Sequence, residues 1–183
     1  MITPGVLDIL NDWLETRGAV QSNSENTIKG YRQDLLDFFA FLTWHHGDVL
    51  GKSALCLVAL SDMRAWMAHQ RREKISPRSV ARKLSAVKSF YRWFSEREGF
   101  DATTVLSVRA PKFQARLPRP ISEDDAKSIL EMVQRKSREP WVNARDLAVV
   151  TLLYGCGLRI SEALALRGKD APLENTLRIL GKG

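Results

Sequence analysis

The sequence predicts a mainly α-helical chain in three parts: a four-helix unit over residues 1–99, a basic connector over 100–120, and a second unit over 121–183. Three observations carry this. Apolar residues recur at i, i+3, i+4 and i+7 behind capping residues throughout the first stretch. Pro111, Pro118 and Pro120 then break any such period and favour an extended path. Finally, Thr176 to Leu180 is the one clear strand, and no second strand follows to pair with it, so the sequence looks cut short.

The first helix opens at Thr3, a capping residue, with Pro4 at the first helical position, and buries Val6, Ile9, Leu10, Trp13 and Leu14; Gly18 is its expected stop. Ser22 is expected to cap the second, Glu25 completing a capping box ahead of the stripe Ile28, Tyr31, Leu35, Phe38 and Leu42, which Phe39 and Phe41 broaden. After a loop around His46–Gly51, Ser61 is expected to cap a third helix with Met63, Trp66, Met67 and Gln70 on its inner face. Ser76-Pro77 opens the fourth, which runs to about Arg97 and buries Val80, Leu84, Val87, Tyr91 and Phe94.

In the second unit, Ser122 precedes three acids at a helix start, and Ala126, Ile129, Leu130 and Val133 form the inner face. An apolar helix follows from about Asn143 to Tyr154, expected to be buried and to end at Gly155 and Gly157. A short helix, Ser161 to Leu166, then leads to the strand and a Gly181-Lys182-Gly183 turn. Tyr31, Tyr91 and Tyr154 all fall at apolar helical positions and are expected in the core.

Composition excludes several classes. The 183 residues are 44% hydrophobic and 27% charged, enough for a core. No run approaches the ~20 apolar residues of a membrane helix, and acids interrupt the opening MITPGVLDILNDWLE, unlike a secretory signal. Two distant cysteines, Cys56 and Cys156, and three histidines offer neither a disulfide framework nor a zinc site. A reduced cytoplasm is the expected compartment.

The charge is concentrated. Formal net charge is +7, and the stretch Arg71–Arg92, with eight basic residues and one acid, carries all of it. On the fourth helix, Arg78, Arg82, Ser85, Ser89 and Arg92 fall opposite the apolar stripe, with Lys88 at its edge. Guanidinium groups reach phosphates or base edges while small hydroxyls let a backbone approach. A solvated helix face would also be basic; the ridge of arginines spaced by serines points rather to nucleic acid. Arg78, Arg82, Lys83, Ser85 and Lys88 are the candidate contacts here, with Thr27, Lys29 and Arg32 from the start of the second helix. The connector, with Arg109, Lys112, Arg116 and Arg119, suits a phosphate backbone as well as it suits a simple tether.

Two residues suggest chemistry. In Gly155-Cys156-Gly157-Leu158-Arg159-Ile160-Ser161-Glu162, two glycines allow a tight backbone and Arg159 begins a new helix, placed to hold a phosphate or to pair with Glu162. Lys182, between two glycines, is either a cation able to swing into a cleft or an exposed turn lysine.

Together these stretches resemble the tyrosine recombinases, the phage-integrase family. Leu152 to Leu164 closely resembles the family's first conserved box, and Ile179 to Gly183 its catalytic-lysine hairpin. Thr27, Tyr31, Asp34-Leu35 and Phe38, with Leu84 to Val87 and Phe90 to Trp93, resemble its core-binding domain. The whole run is most similar to the Xer recombinases. The resemblance implies a SAM-like four-helix core-binding domain, then the first part of an α/β catalytic domain, the two clamping duplex DNA. It implies attack by a tyrosine on the scissile phosphate, a 3′-phosphotyrosyl intermediate, and no metal or nucleotide cofactor. Arg159 corresponds to the first catalytic arginine and Lys182 to the lysine that protonates the leaving 5′ oxygen. The implied setting is chromosome dimer resolution and segregation at cell division, with a second Xer-type recombinase in a tetrameric synapse. The family's His-x-x-Arg box and nucleophilic tyrosine have no counterpart here, so this chain alone is expected to bind DNA without cleaving it. A phage or transposon integrase of the same family, a non-enzymatic helical DNA-binding regulator and a helical module for an acidic protein are the other readings.

Overall fold

A computed structural model describes residues 1–21, 24–114, 120–170 and 176–177. Contacts divide the chain into two compact units, Met1–Ala115 and Arg116–Gly183. The described residues contain helices and no strand beyond an isolated bridge between Ile2 and Leu50. Arg178 to Leu180 of the expected strand and the Gly-Lys-Gly turn, Lys182 included, lie outside the described residues.

The first unit is built on α1 (Pro4–Gln21), α2 (Glu25–His46), α4 (Leu60–Arg72) and α5 (Pro77–Glu98), with short turns of helix at α3 (Lys52–Cys56) and α6 (Thr103–Leu106). The expected stripes face one core. Leu10, Trp13, Leu35, Phe38, Phe39, Leu42, Met63, Trp66, Phe90 and Phe94 are all fully buried. Aromatic edges join the helices: Trp13 of α1 meets Phe90 of α5 at 5.6 Å, and Phe38 of α2 meets Trp66 of α4 at 5.1 Å. Such pairs add about 0.5–1.5 kcal/mol each beyond burial. Tyr91 is buried, its hydroxyl donating to the Leu55 carbonyl at 3.0 Å, which also ties α3 to the core.

Several boundaries differ from expectation. Gly18 does not stop α1, which continues to Gln21. The Thr3 hydroxyl, instead of capping, donates to Leu50 O at 3.1 Å, locking the N-terminus beside the bridge. The cap of α2 is Ser24, which accepts from Thr27 N, whereas Ser22 lies outside the described residues. Ser61 is already within α4; the Asp62 carboxylate caps by accepting from Ala59 N at 2.8 Å. Ser76 and Pro77 open α5 as expected, and Gly99 closes it with φ of 73°, a left-handed conformation that suits glycine.

The stretch after Gly99 is not a connector from residue 100. Ala102 and Val105 are buried, and Phe100, Leu106 and Val108 pack on the same core, so the unit extends through α6. Their apolar spacing is too short for a periodic stripe. Residues 115–119 lie outside the described residues.

The second unit has α7 (Glu123–Val133), capped by Ser122, then α8 (Pro140–Gly155) and α9 (Ile160–Ala163). Here α8 begins three residues earlier than the periodicity suggests, because Pro140 takes the first helical position. No residue of α8 is buried, although it is the most apolar helix. Ile129 is 37% exposed and Tyr154 55%, so neither belongs to a closed core, contrary to expectation. Among the described residues α8 packs against α7 and α9, which cover only part of its circumference.

Candidate nucleic-acid interface

The candidate contacts come from two helices that pack against each other, α2 and α5. Sequence period fixes which side of α5 is polar; packing on α2 decides what each cation meets. Arg78 and Ser85 are exposed, and Arg78 makes no ion pair among the described residues. The Ser85 hydroxyl donates back to Ala81 O at 3.0 Å, keeping the ridge low. Lys88 is half-buried, and burial, helped by neighbouring Arg92, holds its ammonium pKa below the usual lysine range.

Arg82 and Lys83 are engaged. Arg82 donates two parallel bonds to the Asp34 carboxylate, Nη2 to Oδ1 at 2.9 Å and Nη1 to Oδ2. Its side chain is still 57% exposed while Asp34 is almost wholly buried. Lys83 pairs with Asp37 at 2.8 Å and is only 13% exposed, so it sits beneath the surface rather than on it. Burial pushes the Asp34 carboxyl above its ordinary range, outweighing the pull of Arg82 and Lys83 in the other direction.

On α2, Lys29 is exposed beside Glu25 at 2.7 Å, and exposed Arg32 donates to Asn11 Oδ1 at 2.7 Å. Thr27 is part of the helix cap, its hydroxyl 2.9 Å from that of Ser24. The structure thus ties the polar face of α5 to α2 through Arg82–Asp34 and Lys83–Asp37, whereas Arg32 is turned to Asn11 of α1 and Lys29 pairs within α2. Asp34 and Asp37, which order that face, were not singled out as site residues from the sequence. The signal was an acid inside an apolar stripe, between Tyr31 and Leu35.

In the second unit Gly157, with φ of 65°, turns the chain after α8, and Leu158 N closes the turn on Leu152 O at 3.4 Å. Arg159 then stands at the N-cap of α9. Its backbone N–H and its Nη1 both donate to Glu162, each at 2.8 Å, and its side chain is 78% exposed. The backbone bond, and then the guanidinium, hold the Glu162 pKa below the usual carboxylate range. Of the two sequence alternatives for Arg159, the geometry holds the pairing with Glu162, with most of the side chain exposed.

Residues 10–98 match the family described as Phage integrase, N-terminal SAM-like domain. With the arginine box behind this domain, the chain belongs to the tyrosine recombinases. Within them it is similar to Tyrosine recombinase XerC: 43% identical to that of Methylobacterium nodulans, over 98% of this chain and 57% of the relative. The Methylobacterium sp. strain 4-46 XerC is 41% identical over 100% and 59%, and that of Rhodospirillum centenum 40% over 93% and 50%. The chain thus spans between half and three-fifths of the length of these relatives. No solved structure matches. Among the described residues no helix is long and apolar enough to cross a membrane.

Proposed function

We propose that this chain is the DNA-gripping and partly catalytic portion of a site-specific tyrosine recombinase. The observation that carries the reading is the polar face of α2 and α5, where a SAM-like unit concentrates the cations. Arg78, Arg82, Ser85 and Lys88 of α5 and Thr27, Lys29 and Arg32 of α2 face the duplex, and Lys83 braces them from below through Asp37. The finer reading, resolution of chromosome dimers in the cytoplasm beside a second Xer-type recombinase in a tetrameric synapse, follows from the resemblance of the whole run to the Xer recombinases.

In the reaction a tyrosine oxygen attacks the scissile phosphorus, the bond to the 5′ oxygen breaks, and a 3′-phosphotyrosyl link and a 5′ hydroxyl result. Arg159 stabilises charge on the non-bridging oxygens, and Lys182 gives its proton to the leaving oxygen. Cations fixed before the reaction lower the barrier because charge at phosphorus must be held throughout transfer. The nucleophile is none of the tyrosines here: Tyr91 is buried, Tyr31 packs on Trp13, and Tyr154, though exposed, precedes the arginine box.

A nicked suicide duplex tests this. A longer protein that continues through a His-x-x-Arg box and a late tyrosine is expected to form a covalent adduct. Arg159→Ala in it should slow trapping roughly 100- to 1000-fold, and the 183-residue chain alone should trap nothing. An adduct on the 183-residue chain would refute the assignment.

A further inference from the structure

We propose that the notch between the first half of α5 and Phe113 is where this chain reads base sequence, through an Arg82 guanidinium aimed by Asp34. The inference rests on the DNA-binding reading above. The notch, about 480 Å³, is lined by Arg78, Ser79, Ala81, Arg82, Ser85 and Phe113.

Two properties separate it from a row of phosphate contacts. First, the charge of Arg82 is already matched by a buried carboxylate. A neutralised pair releases few counterions on meeting DNA. What it offers instead is direction: both Nη atoms are held by Asp34, and the Nε edge of the fork stays open in a fixed plane. A planar fork of fixed direction matches the O6 and N7 acceptors of guanine. Second, the wall beside it is apolar. Ala81 contributes a methyl group, and the Phe113 ring is 47% exposed. A methyl and a ring edge suit the C5-methyl of thymine in the major groove. Exposed Arg78 makes no ion pair among the described residues and is left to meet phosphate. The chemistry fits one step in which a thymine methyl lies beside a guanine edge. Asp34 is a positioning residue; Arg82 and Phe113 touch the bases.

Selection from a randomised duplex pool with the 183-residue chain tests this, followed by titration of the enriched duplex and its single-base variants. Wild type should enrich a short motif containing that step. Asp34→Asn should cut preference at one base pair by roughly 5- to 100-fold. It should also tighten binding to unrelated duplex and steepen the salt slope by about one, because a negative charge is gone. A purely structural role would weaken both kinds of binding together. Phe113→Ala, at an exposed position, keeps the test alive should Asp34→Asn melt early. It should abolish the several-fold loss that wild type suffers when the thymine is replaced by deoxyuridine. Unchanged base preference in both variants, or a wild-type chain that binds duplex but enriches no motif, overturns the inference and leaves DNA binding standing. A wild-type chain that binds no duplex overturns the reading beneath it.

Discussion

Asp34 shows how one side chain joins fold to interface. It lies in the apolar stripe of α2, 2% exposed, yet two bonds tie it to a guanidinium at the surface. Burial raises its pKa against the opposing influence of Arg82 and Lys83, with Asp37 adding a smaller push upward. The sign of the linkage follows. The folded state binds the proton more tightly than the unfolded chain does, so protonation of Asp34 favours folding below its ordinary value, and that contribution is lost as pH rises through the raised one. For DNA the direction is the opposite, because only the ionised carboxylate holds Arg82. Base discrimination should therefore decline on acidification, beginning above the ordinary Asp range of about 3.9. Competition titrations on the enriched duplex down to about pH 4 check this. Asp34→Asn should start low and stay flat there; a wild-type curve that is flat too would show that the carboxylate does not set the fork.

At the scale of elements, the first unit depends on α5 meeting α1 and α2 through a ladder of rings. Phe90 is the rung with the most partners, within 5.6 Å of Trp13, Phe39, Tyr91 and Phe94. Phe90→Ala leaves a cavity among rings that cannot collapse into it, and should cost about 3–5 kcal/mol. Urea unfolding measures it, and a loss below about 1 kcal/mol, small for a fully buried phenylalanine, would mean the core closes around the gap. The stripes of all four main helices were legible in the sequence because each repeats over several turns. Their ends were less so. A cap depends on which residue takes extended backbone: Ser24 does so ahead of α2, and Ala59 ahead of α4, where the carboxylate of Asp62 caps from within the helix although Ser61 looked as suitable. Phe100 and Val105 are buried without a period long enough to reveal it. For the candidate site, phase predicted the exposed side of α5 but not that Lys83 turns under it, which is set by Asp37 on another helix.

For the whole molecule, the governing fact is that a net charge of +7 resides in one stretch of 22 residues, Arg71–Arg92. Much of that stretch forms one wall of the α2–α5 face, and part of its charge is cancelled there by Asp34 and Asp37. Around that face Arg78, Lys88 and Arg92 make no ion pair among the described residues, and Lys29 is paired only with exposed Glu25. Four phosphate contacts imply a log–log salt slope near −3.6 and about a 100-fold loss of affinity between roughly 50 and 200 mM salt. Fluorescence anisotropy with a labelled duplex, for wild type and the Arg78→Ala, Arg82→Ala double variant, measures this directly. Wild type should follow that slope, and the double variant should bind at least tenfold more weakly with a slope about one shallower. Equal affinity and equal slope in the two proteins would place the duplex somewhere other than on α5.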